Sequence, residues 1–310
     1  MAPWGGREGD NCDCAFEKGG LGVFAWAAVD RGLSRLQASA QLLGKDMSRY
    51  FRVFVLQTRN SLMREMSFKA NFLLWTVVEI LWFLGQVLFI DVLFSHVERI
   101  GDWTKWEVVA LVGTHQTIAQ LFQAFFYVNL THIPELVRTG KLDVFLTLPL
   151  DAQFAVSTRQ IGLDNIVNAG IGLSIVGWAL SKLGVPVSAK NCLAYSVCVL
   201  VGVSVHYSVM CSLSTLCFWI VRAQGLLYGY FNLFNIGRHP DSVYRGAFKA
   251  VFSWVIPVIA VANVPTRILA VHGESGWATA APLLVGAVLL LCFTRWFWLR
   301  GLSRYASASS

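Results

Sequence analysis

Glu79, His115, Asp164 and His206 each lie inside a long apolar stretch of the sequence. Charge is costly in such surroundings and is a sign of function by default. Gln116, Gln120 and Gln123 fall on one helical face behind His115, and Asp164 shares a face with Asn168. A polar stripe of this kind either lines a pathway or hydrogen-bonds a neighbouring helix. Proton relay through Glu79, His115 and His206 is the sharpest chemistry these residue types allow. Other chemistries lack their residues. No GxxxxGK[ST] phosphate loop occurs, and the nearest fragment, Gly44-Lys45-Asp46, lacks the first glycine and the hydroxyl. There is no paired-Asp or HxxxxD motif, since Asp143 and Asp151 stand apart in a sparse loop. The seven cysteines have no metal-ligand spacing: Cys12 and Cys14 form a CxC pair, and the other five sit in apolar runs as small buried hydrophobes. No metal site is expected.

The elements that must position these groups follow from composition. The chain of 310 residues is 55% hydrophobic and 14% charged. A soluble domain carries roughly a quarter charged residues, so the deficit marks lipid-facing surface. Twelve Trp and 21 Phe suit interface anchoring. A net charge of +7 fits basic loops beside a membrane better than a nucleic-acid surface. Continuous apolar segments near 70–94, 107–128, 156–181, 192–221, 250–270 and 279–299 each approach the roughly 20 residues of a bilayer span. They are unbroken, not alternating, so they predict helices and not barrel strands. The fold class is an all-α membrane protein with six transmembrane helices.

Residues 1–46 read as a weakly structured leader with one short apolar stretch, and Met47 opens a more coherent sequence. Residues 47–69 predict an amphipathic interfacial helix, with Phe51, Val55, Leu62 and Met66 interleaved by Arg49, Arg52, Arg59 and Arg64. The six-span domain takes 70–300 and a tail 301–310. With the N-terminus in the cytoplasm, the inner side also collects Arg138, Lys141, Arg222, Arg238, Arg245, Lys249, Arg300 and Arg304. The outer side holds Arg99, Lys105, Lys182 and Lys190, and this bias predicts both termini inside. The inner connection 129–155 contains a short helix with Pro134 in its first turn and Gly140 at its end. The second, 222–249, reads as an interface-hugging segment. Pro257, Asn263, Pro265 and Arg267 break the fifth span and predict a kinked or partly re-entrant candidate outer gate. Ala169, Gly170, Gly172 and Gly177 would let another helix approach the third span. Asn129-Leu130-Thr131 is a chance glycosylation match on this topology.

A GKLDxxLxxPLxxQF stretch (Gly140–Phe154), an FNIGRHPDSVYRG stretch (Phe234–Gly246), an ANVPTRIL stretch (Ala262–Leu269) and the closing RGLSRYASASS stand in fixed order against the spans. Together they resemble the type-2 ATP-binding-cassette permeases, in the small bacterial branch that works beside a separate ATPase. The resemblance covers about residues 47–310; the leader departs from it. It implies two permease subunits, homologous or identical, over two cytoplasmic ATPases that hold the ATP and Mg. It implies export of drugs, lipids, polysaccharides or peptides across the bacterial inner membrane. This chain would bind no cofactor itself and would be no enzyme by itself. The short helix becomes a coupling helix, with Pro134, Glu135, Leu136, Arg138 and Lys141 as candidate ATPase contacts. The residues alone also suit a loop helix held by an i,i+3 ion pair. Its surroundings would be membrane lipids, with no nucleic acid. Two other classes remain on the residues alone: an ion-gradient-driven secondary transporter, and a polytopic lipid-modifying enzyme.

Overall fold

The computed structural model describes residues 48–63, 69–186, 188–220, 223–270 and 276–305. The leader, Cys12, Cys14, Arg64, Arg222 and positions 306–310 lie outside the described residues. The chain divides into two units, 1–53 and 54–310. The described residues of the first, 48–53, are helical and continue into a helix that ends at 63 (α1, 48–63). In 54–63 the packed face is polar: Ser61 Oγ accepts the Ile161 N–H, and Thr158 donates to Gln57. Val55, Leu56, Leu62 and Met63 stay exposed, as a face turned to lipid requires.

Every regular element of the described unit is helical. In order these are α2 (Lys69–Phe94), α3 (Lys105–Phe122), α4 (Val128–Thr131), α5 (Ile133–Arg138), α6 (Leu142–Leu146), α7 (Ala152–Ser157), α8 (Leu163–Leu183), α9 (Ala189–Thr215), α10 (Gln224–Phe234), α11 (Gly246–Ala250), α12 (Val258–Ala270) and α13 (Gly276–Leu302). Among the described residues four helices are long and apolar enough to cross a membrane: Leu73–Phe94, Leu163–Leu183, Ala189–Phe218 and Gly276–Leu302. A fifth exists if the bent pair Gly246–Val255 and Val258–Ala270 counts as one span.

The predicted second span, 107–128, fails on composition and not on length. A π turn, Gln123–Tyr127, joins α3 to α4 without a break in helical backbone. This rod carries His115, Gln116, Gln120 and Gln123 because it is largely interior: most of α3 is buried between its neighbours, with Gln116 and Gln123 half-buried. A helix enclosed by protein does not need the apolarity that lipid demands. Glycines set its approach to α8. A Cβ on Gly113 would stand 3.0 Å from the Gly172 carbonyl oxygen, and one on Gly172 would stand 2.7 Å from Thr117 Oγ1. Gly170 and Gly177 face open space, so only part of the small-residue run makes the contact. Gly172→Val is expected to cost at least the 1–3 kcal/mol or so of an overpacked core. Thermal unfolding in detergent measures it, with Gly177→Val as the near-neutral control.

Contacts fix the direction of each helix. α3, α9 and α13 run parallel: Thr114 meets Tyr195, Leu130 meets Ser214, Gly276 packs on Ala194, and Gly301 packs on Thr215 and Phe218. α2 and α8 run against them, since Glu79 meets Gln116, Lys105 meets Asp91 and Trp106 packs on Trp178. The bundle thus has one end with the 95–104 loop and one end with α5–α7. After α9 the chain leaves at the α5–α7 end, and α13 begins at the other. The described residues between them, 219–220 and 223–270, therefore make one net crossing.

That crossing is not the predicted fifth span, 250–270. Its two halves bend by 79° at a break beside Pro257. Lys249, in α11, and Arg267, in α12, both bind the carboxylate of Asp241, at 2.9 and 2.8 Å. Both limbs thus return to one end, and 246–270 is a re-entrant hairpin. The crossing is made by α10 and the 3-10 turn Asn235–Arg238, which deliver Asp241 to the loop end against Trp103. Eleven α residues and four 3-10 residues rise roughly 25 Å. The segment 222–249 is therefore no inner connection. Arg238, Arg245 and Lys249 lie at the end opposite to the one where the charge count placed them, and the charge bias shrinks.

Candidate functional site

Three groupings of polar side chains emerge, one at each end and one between. At the α5–α7 end, Pro134 sits in the first turn of α5, and Gly140 (φ 70°) turns the chain into α6. Ile133, Pro134 and Leu136 are buried and anchor α5. Glu135 and Arg138 point outward and pair at 2.7 Å. Lys141 is exposed beside them. An exposed pair of this kind contributes at most about 1 kcal/mol. Apolar Val144, Leu146 and Leu148 are also exposed on the following turns.

The same end holds a network that the sequence reading missed. Asp151 caps α7 by accepting the Phe154 N–H at 3.0 Å. Arg295 of α13 donates to Asp151 at 2.6 Å and to Gln153 at 2.9 Å. Gln153 donates in turn to the Tyr207 hydroxyl of α9 at 3.0 Å. One loop is thereby fastened to two long helices. Asn129 holds the start of α8: its amide donates to the Gln160 carbonyl, and its carbonyl accepts the Gln160 N–H. Its side chain is buried, which agrees with reading the glycosylation motif as chance.

Between the ends lies an aromatic cluster. The Phe234 ring is 3.8 Å from that of His206 and 4.8 Å from that of His115. His115 Nε2 lies 3.1 Å from the Phe234 carbonyl oxygen, and His206 Nδ1 lies 2.7 Å from the Tyr230 hydroxyl. Glu79 is elsewhere, accepting from Gln116 at 3.3 Å. The three proposed relay groups therefore have separate partners and form no hydrogen-bonded chain. Gln120 and Asn168 are buried, each with a carbonyl oxygen that has no hydrogen-bond partner. Gln123 lies in the π turn. Asp164 sits in the first turn of α8, where a carboxylate suits the helix dipole, and accepts from Asn165.

At the loop end, Asp241 is a hub. Besides Lys249 and Arg267 it accepts from the Trp103 indole at 3.3 Å. Arg267 also reaches Asp102 at 2.8 Å and lies over the Trp103 ring. Asn263 Oδ1 accepts the Asp241 N–H, and its amide donates to the carbonyls of His239 and Ile259. Pro257 marks the hairpin bend, and Pro265 lies inside α12. Pro257, Asn263 and Arg267, with Asp241 and Lys249, line a cavity of about 530 Å³ between hairpin and α13. A second cavity, of about 480 Å³, lies along α2. Neither is lined by Glu79, His115, Gln116, Gln120, Gln123, Asp164, Asn168 or His206.

The sequence profile described as an ABC-2 family transporter protein matches residues 80–309. The chain belongs to the ABC-2 transporter family. A search of curated proteins finds no match. This type-2 ABC permease is thus a multi-pass membrane protein, and its matched region takes in all three groupings.

Within the permease, Arg295 and Asp241 are the residues whose importance went unread. Arg295 carried a signal, a lone cation inside the last apolar run. Asp241 lay within a quoted motif but its partners lie 8 and 26 residues away. Burial alone would raise the Asp241 carboxyl, but the hydrogen bonds and charges of Arg267 and Lys249 outweigh it and hold it below the usual value. A depressed carboxyl stabilises the fold above its ordinary pKa, and that contribution is lost as pH falls through the folded value. Hydrogen exchange in 246–270 is expected to accelerate below the ordinary carboxylate range while α8 stays protected.

Proposed function

We propose that this chain is the permease subunit of an ATP-driven exporter, with two copies or two related chains over two separate cytoplasmic ATPases. ATP and Mg reside on those partners. The carrying observation is the α5–α7 end: the outward Glu135–Arg138 pair and Lys141 lie beside exposed Val144, Leu146 and Leu148. A charged rim beside apolar surface suits a protein partner. The fastening through Gln153 to α9 and α13 supports the reading, because a push on this loop would reach both helices.

In this reading six segments cross the bacterial inner membrane: α2, α3–α4, α8, α9, α10 with its 3-10 turn, and α13. The α5–α7 end and both termini face the cytoplasm, and α1 lies at the interface. The re-entrant hairpin, with Pro257, Asn263, Pro265 and Arg267, forms the outer gate. The substrate pathway runs between two permeases, where half-buried Glu79 with Gln116 offers polar lining. His115, Gln120, Gln123, Asp164, Asn168 and His206 serve packing.

The test is affinity purification from native membranes in mild detergent with mass spectrometry. A stoichiometric nucleotide-binding ATPase is expected. The double reversal Glu135→Arg with Arg138→Glu is expected to reduce its recovery about tenfold, equivalent to roughly 1.4 kcal/mol. A preparation free of ATPase, from membranes that express one, would overturn the proposal.

A further inference from the structure

The cavity of about 480 Å³ at the loop end lies between α2 and residues 238–243. Its walls are apolar, from Phe89, Ile90 and Leu93 of α2 to Val97 in the loop after it. Its rim carries Arg99, Arg238 and His239, and no carboxylate lines it. Among the neighbouring acids, Asp91 pairs with Lys105, and Asp102 and Asp241 share Arg267; Glu98 is exposed and does not line the groove. Arg238 Nε is sealed from solvent and has no hydrogen-bond acceptor. Its guanidinium lines the groove with no ion pair among the described residues, and a cation without a carboxylate beside an apolar wall favours an anion there. α2 is the least buried of the four long apolar spans, and Phe89 and Val92 are exposed.

We propose that this groove binds an anionic phospholipid of the bilayer. Arg238 and Arg99 hold the headgroup phosphate by charge-assisted hydrogen bonds, which for arginine are forked and strong. One acyl chain lies along α2 over the roughly 10 Å of helix from Gln86 to Leu93. The apolar wall is what selects a lipid over a soluble phosphate. The 238–243 segment also carries Asp241, so an occupied groove steadies the segment on which the hairpin is hung. The inference does not depend on transport or on an ATPase.

The full chain is purified in mild detergent, exchanged with equal phosphatidylglycerol and phosphatidylethanolamine, and weighed intact by native mass spectrometry. Retained phosphatidylglycerol is expected, with little phosphatidylethanolamine. Arg99→Gln, at an exposed position, is expected to cut retention about tenfold, and Arg99→Gln with Arg238→Gln further. Lys190→Gln, an exposed cation at the same end, is expected to leave it unchanged. Equal retention in all variants, or no headgroup preference, would overturn the site. So would displacement by inorganic phosphate alone, which would assign it to a soluble anion. A lipid-free dimer that buries the groove would assign it to a second copy instead.

Discussion

Asp241→Ala is expected to release the re-entrant hairpin. The carboxylate joins both limbs, Lys249 and Arg267, and takes the Trp103 N–H. Removal leaves Lys249 and the indole donor without this acceptor, and leaves Arg267 with Asp102 alone. Breaking a buried pair costs about 3–5 kcal/mol, and a surface pair at most about 1. Asp241 is about a fifth exposed, and Lys249 is more open, so an intermediate loss of roughly 2–3 kcal/mol is expected. Asp241→Asn keeps an acceptor and loses the charge, and should fall between. The signature is local: exchange protection drops across 246–270 while α3 and α8 keep theirs. Unchanged protection would mean that Asn263 and packing alone hold the hairpin.

Phe234→Ala is expected to be the most damaging substitution in the interior. The ring is almost fully buried and separates His115 from His206. Truncating a buried Phe costs about 3–5 kcal/mol in a soluble core. Lipid is as apolar as the ring, so part of the transfer gain is absent in a membrane. The cavity and its lost dispersion contacts remain, so roughly 3 kcal/mol is expected. Phe234→Leu should recover about half. The midpoint of thermal unfolding in lipid nanodiscs gives the comparison, and Leu233→Ala, on the exposed side of α10, serves as control.

Much of this fold was legible because lipid leaves a plain mark. Long apolar runs located α2, α8, α9 and α13, and the proline and glycine of α5 marked its start and end. The rest was hidden for physical reasons. α3 was found by length, although its glutamines made it too polar to pass as lipid-facing. The run 250–270 reads as a fifth span broken by its prolines, and the 79° bend beside Pro257 agrees with the kink, while hydropathy alone still counts the run as a crossing. What folds it back is one carboxylate with partners far apart in sequence. α10 was hidden in a segment that reads as interface-hugging, since a span rule of about 20 α-helical residues takes no account of a 3-10 extension. Helical spacing put the glutamines on one face, but which helix each residue meets is set by packing. Glu79 found Gln116, and the histidines found Phe234 and Tyr230, so the relay was never assembled.

The central claim is directional: the α5–α7 end and the Asp241 end lie on opposite sides of the membrane, and the hairpin enters and leaves on one of them. Single cysteines at Thr139, Ser95 and Arg245, with the native cysteines replaced, report it directly through a membrane-impermeant maleimide in intact cells. Ser95→Cys and Arg245→Cys are expected to label from outside, and Thr139→Cys only after the membrane is opened. Labelling of Arg245→Cys together with Thr139→Cys, and apart from Ser95→Cys, would restore 250–270 as a span and contradict the account.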